Sequence, residues 1–534
     1  MNHRRTWSIL AVALVTMALA LVDVPVRAIW PPVAALVVII VTRHALIGLL
    51  AGGFAGAILL TGGNPLTAFI DLFAAHLWPS LQSSWKIGAI AFTLILGGFA
   101  AILEAGGGFA GLMRKVAGLD RESSRDTSRN LEGGAAGLGI LCFFDGLANS
   151  MVVGRVSRDL ADRSGVARVK LAYIVDSTSS AVACLAFVST WIAFQLSMIS
   201  EAYVQAGRPA NPYGVFLESL PYNFYCWFTL VLLFVSIRQR FHPGPMARFV
   251  REASLAGNKK DAPVTEPRTA SGNPATALVP LASLLVAFFV GFVALGSPRP
   301  VFPLSRDKVV ASFGSDAGPL VLVLASVAAT LVAALMFPSR PDGRWKPVLK
   351  AFGSGVWTMI GPIFILLAAW IMGSVIGELG TAVLISSLAS ETSSLALLPS
   401  VTFLIGAAIS FATGTSWGTM GLLFPLAVPA AAVMGADDPF LAVIVAAVFS
   451  GAVFGDHCSP FSDTTIVTSI SCGVEPHDHV RTQIPYALIT SAVAIGFGFL
   501  PAGLGFPWVA SLILGTAMLF VLPRLAEKIR PRDS

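Results

Sequence analysis

Two aspartates, a histidine and several hydroxyls stand close together in Phe454-Gly455-Asp456-His457-Cys458-Ser459-Pro460 and Asp463-Thr464-Thr465, between an apolar run at 439–453 and a weakly polar run at 466–470. Ionisable groups in such surroundings cost roughly 2.5–3.5 kcal/mol each on membrane-insertion scales, and they are kept where an ion, a proton or a substrate uses them. Carboxylates and hydroxyls are hard oxygen donors suited to an alkali cation. Gly455 and Pro460 predict an interrupted helix, whose freed carbonyls would add further donors. A desolvated carboxylate gains from neutralisation by a proton or by a cation, but hardly by both at once. That competition is the minimal machinery of exchange.

The elements that position these residues must cross a bilayer. Of 534 residues 55% are hydrophobic and 12% charged, against about 25% charged in soluble domains. Apolar runs at 7–22, 45–60, 87–103, 224–237, 277–295 and 319–337 approach or exceed the roughly 18–20 residues that span a hydrocarbon core. The net charge of +6 is read as Lys and Arg of cytoplasmic loops, not as a nucleic-acid surface. The first helix is expected to be uncleaved, with its N-terminus in the cytoplasm. Five scattered cysteines, Cys142, Cys184, Cys226, Cys458 and Cys472, carry neither metal spacing nor a disulfide framework.

Basic clusters at 114–129, 155–170, 238–260, 340–350 and 524–532 are placed in the cytoplasm. The first two leave a segment, 131–154, long enough to cross once and too short to cross twice. A re-entrant hairpin is predicted there, with its tip near Phe143-Phe144-Asp145-Gly146. A second hairpin is predicted between Glu391 and Asp437-Asp438, with Ala412-Thr413-Gly414-Thr415-Ser416-Trp417-Gly418-Thr419 as its tip, entering from outside. Asp176-Ser177-Thr178-Ser179-Ser180 is matched with 456–460 as a second break, and Glu104 with Glu378. Each half then reads as a long helix, a hairpin and an interrupted helix. The fold class is an all-α polytopic membrane protein with inverted repeats, two re-entrant hairpins and interrupted transmembrane helices. The parts are N-terminal scaffold helices at 1–85, a first repeat at 86–237, a cytoplasmic linker at 238–275, scaffold helices at 276–350, a second repeat at 351–501, and a last helix with a basic tail at 502–534.

The stretch Gly455-Asp456-His457-Cys458-Ser459-Pro460-Phe461-Ser462-Asp463-Thr464-Thr465 resembles the signature of the NhaC family of sodium/proton antiporters. So do Gly414-Thr415-Ser416-Trp417-Gly418-Thr419, Phe143-Phe144-Asp145-Gly146-Leu147-Ala148-Asn149 and Lys170-Leu171-Ala172-Tyr173-Ile174-Val175-Asp176-Ser177-Thr178. The resemblance covers roughly 92–468. It implies ion-coupled antiport in a bacterial inner membrane, and by analogy an elevator-like movement of the hairpin domain. The family's first hairpin often carries two adjacent acids, whereas here Gly146 follows Asp145, which removes one cation ligand and leaves the sodium stoichiometry open. The family also includes relatives that look like carboxylate or amino-acid exchangers.

Asp176 and Asp456 are the candidate cation carboxylates and, with His457, the candidate proton carriers. Ser179, Ser459, Asp463, Thr464 and Thr465 would add oxygens, with Asp145, Asn149, Thr415, Ser416 and Thr419 from the hairpin tips. Each has a structural alternative: a helix cap for Asp176 and Asp456, an ion pair with His457 or a Lys/Arg for Asp463, a neutral hydrogen-bonding role for His457, and turn formation at the tips. Glu104 and Glu378 read as helix-end residues. His477-Asp478-His479 reads as a solvated turn, not a metal triplet, and 66–81 as an amphipathic surface segment. The expected function is Na+/H+ antiport exporting Na+ or Li+; the alternative is Na+- or H+-coupled exchange of small organic anions or amino acids. The cation reading is favoured because no intramembrane Arg or Lys stands near the motifs. An enzyme built on Cys458 and His457 lacks any supporting motif. The expected partners are the lipid bilayer, Na+ and H+, with no cofactor and no nucleic acid; a homodimer is compatible. Both termini are expected in the cytoplasm.

Overall fold

A computed structural model describes residues 3–22, 24–116, 127–256, 272–303, 305–313, 315–338, 343–390 and 394–529, and every regular element among them is helical. Ten of these helices are long and apolar enough to cross a membrane, and three bent pairs raise the number to 13. Helices Ala45–Leu60, Ser84–Gly106, Phe224–Arg238, Ala275–Gly296 and Gly318–Met336 occupy five of the predicted spans. Outward-facing Val286, Val290, Leu331 and Ile513 are exposed, as suits residues solvated by lipid. The segment Pro65–Gln82 turns 118° away from Ala45–Leu60, in keeping with its amphipathic pattern.

Both hairpins form where predicted. The first is Thr127–Leu141 followed by Gly146–Arg163, the second Leu398–Thr413 followed by Ser416–Val433. Each returning helix is capped from the tip: Asp145 accepts from the Ala148 amide at 2.6 Å, and Thr415 accepts from the Gly418 amide at 3.1 Å. Gly414 closes the outgoing helix in the left-handed region at φ +68°, and a Cβ there would meet the Phe461 backbone at 2.7 Å. Only glycine fits both demands.

After each hairpin comes a broken span. The first runs Arg168–Leu185 and Thr190–Gln205, bent by 46°; the second runs Asp438–Cys458 and Asp463–Cys472. The two run antiparallel. Arg168, which opens the first span, donates to the carbonyl of Gly473 at the end of the second, at 3.3 Å, while Arg208, past the end of the first, pairs with Asp438 at the start of the second, at 3.1 Å. Hairpin plus broken span therefore occurs twice with opposite sense, as an inverted repeat requires.

The second break falls where Pro460 dictates. Ser459 before it is extended, at φ −78° and ψ 127°, because the proline ring disfavours the helical region for its predecessor. Gly455 itself is helical. The first break corrects the prediction: residues 176–180 lie inside a continuous helix, and the chain breaks at 186–189. The hydroxyls that suggested a break bond to carbonyls of their own helix, Thr178 to Ile174 at 3.0 Å and Ser179 to Asp176 at 3.0 Å, a pattern open to Ser and Thr without breaking the helix.

The expected linker at 238–275 contains a helix, Met246–Ala256; its residues 257–271 lie outside the described part of the chain, as do 530–534 of the basic tail. Before that helix stands His242, outside the spans. Burial first, then the charges of Lys170 and Arg240, push its imidazole down to about 3. A histidine lowered on folding contributes stability that is present above its ordinary value near 6.5 and lost as pH falls toward 3. The protein is thus expected to melt lower at pH 5 than at pH 7.5, with a smaller difference in His242→Gln. Equal differences in thermal-shift curves of the two proteins would contradict this.

Candidate functional site

Both hairpin tips and both breaks meet at one cavity of about 360 Å³. The first hairpin contributes Asp145, the first break Thr190, the second hairpin Thr415 and Ser416, and the second break Asp456 and residues 461–464. A fifth wall is the middle of the 34-residue helix Trp345–Glu378, around Pro362. The corner between Trp30–Thr42 and Ala45–Leu60 supplies Arg43 and His44.

Asp456 is the best-connected group in the cavity and is 2% exposed. Its Oδ2 accepts from Ser180 and Ser416, each at 3.0 Å, and its Oδ1 from Ser462 at 3.1 Å. One carboxylate thus joins the first broken span, the second hairpin and the second half-helix. Thr465 donates to the Asp456 carbonyl at 2.8 Å, and Thr464 contacts both that carbonyl, at 3.5 Å, and Ser462, at 2.9 Å.

Helix dipoles separate the cavity's three carboxylates. Asp145 caps the helix Gly146–Arg163, and Asp463 opens Asp463–Cys472; a negative charge is favoured at such N-termini. Asp456 lies in the last turn of Asp438–Cys458, where the dipole disfavours it. Its three donors are neutral hydroxyls. It is the carboxylate with the greatest need of a cation.

Asp145 fills the structural role foreseen as its alternative. Besides its cap, its Oδ2 accepts from Thr190 at 2.7 Å, and Thr190 in turn donates its amide to the Phe144 carbonyl at 2.9 Å. These bonds clamp the first hairpin tip to the second half of the first broken span. Asp145 also lines the cavity, and a carboxylate can accept more bonds than these two.

Several predicted ligands lie elsewhere. Asp176 and Ser179 are fully buried and do not line the cavity; Asp176 accepts from Gln483 at 2.7 Å instead, because its helix continues unbroken and turns it away. Asn149 holds the hairpin against the first broken span through bonds to the Gly139 and Thr178 carbonyls. Ser459 accepts from the Phe461 amide within the break. His457 turns from the cavity to Tyr225, 2.9 Å from its Nδ1, so Asp463 does not pair with it; Asp463 lines the cavity together with Arg43 and His44. Glu104 pairs with Arg155 at 3.1 Å, and Glu378 ends its helix. His479, expected in a solvated turn, is 1% exposed and 3.6 Å from Asp176. Among the described residues no group of His, Cys, Asp and Glu is arranged to hold a metal site of three or more such ligands.

Arg43 corrects the expectation of a cavity without a cation. Its left-handed backbone, φ 59°, ends the helix Trp30–Thr42 and puts the guanidinium 3.2 Å over the Phe461 ring. Only tertiary packing brings this corner to the motifs; the hydrophobic run ending at Thr42 was the available signal.

A family model described as the Na+/H+ antiporter family matches residues 182–501. An uncharacterized protein of Haemophilus influenzae is 29% identical over 93% of this chain and 94% of its own length. The malate-2H+/Na+-lactate antiporter of Bacillus subtilis is 34% identical over 32% of this chain and 36% of its own, and the Na+/H+ antiporter NhaC of Alkalihalophilus pseudofirmus 31% identical over 32% and 37%. The solved structure of the Alcanivorax borkumensis YdaH transporter shares the fold at a TM-score of 0.54, with 15% identity over 80% of this chain and 89% of that one.

Proposed function

Because this chain belongs to the Na+/H+ antiporter family, we propose that it is a multi-pass secondary transporter exporting Na+ or Li+ in exchange for protons, with Asp456 as the carboxylate for which cation and proton compete. The observation carrying this reading is the buried carboxylate at a helix C-terminal end, held by Ser180, Ser416 and Ser462. A cation at Asp456 would find hydroxyl oxygens of Ser416, Ser462 and Thr464 nearby, with Asp145, Asp463 and Thr415 across the same cavity. Those ligands come from both hairpins and the second broken span, so filling the site ties the moving parts together.

A second reading, exchange of a small organic anion or amino acid, is favoured by Arg43. The cavity of about 360 Å³ lies within the range of about 300–1,000 Å³ typical of small-molecule sites. A guanidinium there could pair with a substrate carboxylate. The malate–lactate antiporter among the relatives supports the same class.

Everted membrane vesicles energised to an acid interior separate the two. Adding NaCl or LiCl is expected to dissipate the pH gradient, reported by a fluorescent dye, while malate, lactate and ornithine leave it unchanged. Arg43→Gln is expected to keep the Na+ response within about twofold. A response to an organic solute alone, reduced tenfold or more in Arg43→Gln, would replace the cation reading by the second.

A further inference from the structure

Behind the cavity lies a second buried set of protonatable groups that the cation site leaves unused. Asp176 on the first broken span faces His479 and Gln483, which stand one turn apart on Pro476–Val493. The Asp176 Oδ2 accepts from Gln483 and lies 3.6 Å from the His479 Nε2. Asp176 Oδ1 and both ring nitrogens of His479 make no hydrogen bond, although both residues are almost wholly buried. A carboxylate and an imidazole in contact, with polar valences unspent, can hold or release a proton without rearranging the fold.

A line of polar residues on the same helix joins this pair to both ends of a route. Toward the cavity, Ser180 follows Asp176 by four residues and donates to Asp456. In the other direction Lys170, fully buried, sits 4.7 Å from the Tyr173 ring centre and 5.4 Å from that of Tyr486, and donates to Ser236 at 2.7 Å. Next comes Glu132, which pairs with Arg240 at 3.2 Å and lines a separate cavity of about 540 Å³. The titratable and charged groups facing the pair from neighbouring elements are His457, Cys458, Tyr225, Cys472 and Asp456.

Resting on the antiport reading, we propose that Asp176 and His479 carry a second proton, separate from the one that competes at Asp456, and discharge it past Lys170 and Glu132. With the proton on His479 the pair is a neutral ion pair; after the proton passes to the Glu132 cavity it keeps one negative charge. Na+ at Asp456, which Ser180 ties to the helix of Asp176, is attracted to that charge. Two protons then move against one Na+, and one net charge crosses per cycle.

Purified protein in liposomes tests this with 22Na+ uptake driven by an imposed pH gradient, at zero potential and at a K+/valinomycin potential. Wild type is expected to change its initial rate severalfold with potential. Asp176→Asn and His479→Gln, each eluting as a single species, are expected to keep 22Na+/Na+ exchange at saturating Na+ within about threefold of wild type and to lose the response to potential. A wild type that exchanges Na+ for H+ but ignores the potential overturns the second proton, and so does a variant that keeps the response. Loss of 22Na+/Na+ exchange in both variants would instead make the pair part of the cation site or of the fold. Absence of Na+/H+ exchange in wild type would sink the antiport reading itself, and this assignment with it.

Discussion

Asp456→Asn is expected to abolish Na+-driven proton movement, by at least about a hundredfold, while the protein stays folded. An asparagine keeps an oxygen for two of the three hydroxyls now donating to the carboxylate, and its amide can donate to a hydroxyl oxygen in place of the third. The contacts joining the broken spans to the second hairpin therefore survive. What disappears is the charge. A unit-charge attraction at 4 Å is worth about 4 kcal/mol at an effective dielectric near 20, about three orders of magnitude in affinity. Asp145 and Asp463 cannot replace it, since each is bound up with a helix N-terminus of its own. Vesicle assays with matched expression check the loss, and a variant retaining a tenth or more of the wild-type rate would remove Asp456 from the mechanism.

The second large effect is structural. Gly455→Ala would place a methyl 1.9 Å from the Ser410 Oγ, 2.3 Å from its Cβ and 2.4 Å from its carbonyl carbon. Ser410 cannot swing aside freely, because its hydroxyl donates to the Ala452 carbonyl at 2.6 Å. Close approach of the second hairpin to the second broken span depends on such small residues, as helix contacts in membranes commonly do. Overpacking a tight core typically costs about 1–3 kcal/mol; with a backbone atom in the way the upper end is expected. Gly455→Ala should therefore melt well below wild type and carry Asp456, its neighbour in sequence, out of register with Ser416. Thermal shift in detergent measures this, and an unchanged midpoint would mean that the two helices part at no cost.

How legible these parts were in the sequence follows from local chemistry. Pro460, Gly414 and the capping residues Asp145 and Thr415 act through their own backbone or the next turn, so both tips and the second break could be placed from sequence. The first break has neither proline nor glycine. It is held by Thr190 bonding to Phe144 and Asp145 of another element, a signal that only tertiary structure supplies. The polar run at 176–180 drew the break one and a half turns or more too early, and with it the pairing of Asp176 with Asp456. His479 and Gln483 were hidden by a turn reading; their spacing of four becomes informative once Pro476 is seen to open a helix. Arg43 was passed over for a different reason: the apolar run ending at Thr42 marks a helix end, but Arg43 lies more than 400 residues from the motif it faces, and only packing brings the two together.

The central claim is competition at Asp456, and the dependence of Na+ half-saturation on pH tests it most directly. Initial rates of 22Na+ uptake into proteoliposomes would be measured from pH 6 to 8.5 over a range of Na+ concentrations. Competition predicts a half-saturating Na+ that rises by about tenfold per pH unit on the acid side, at nearly constant maximal rate. A half-saturation constant that stays flat while only the maximal rate responds to pH would contradict it.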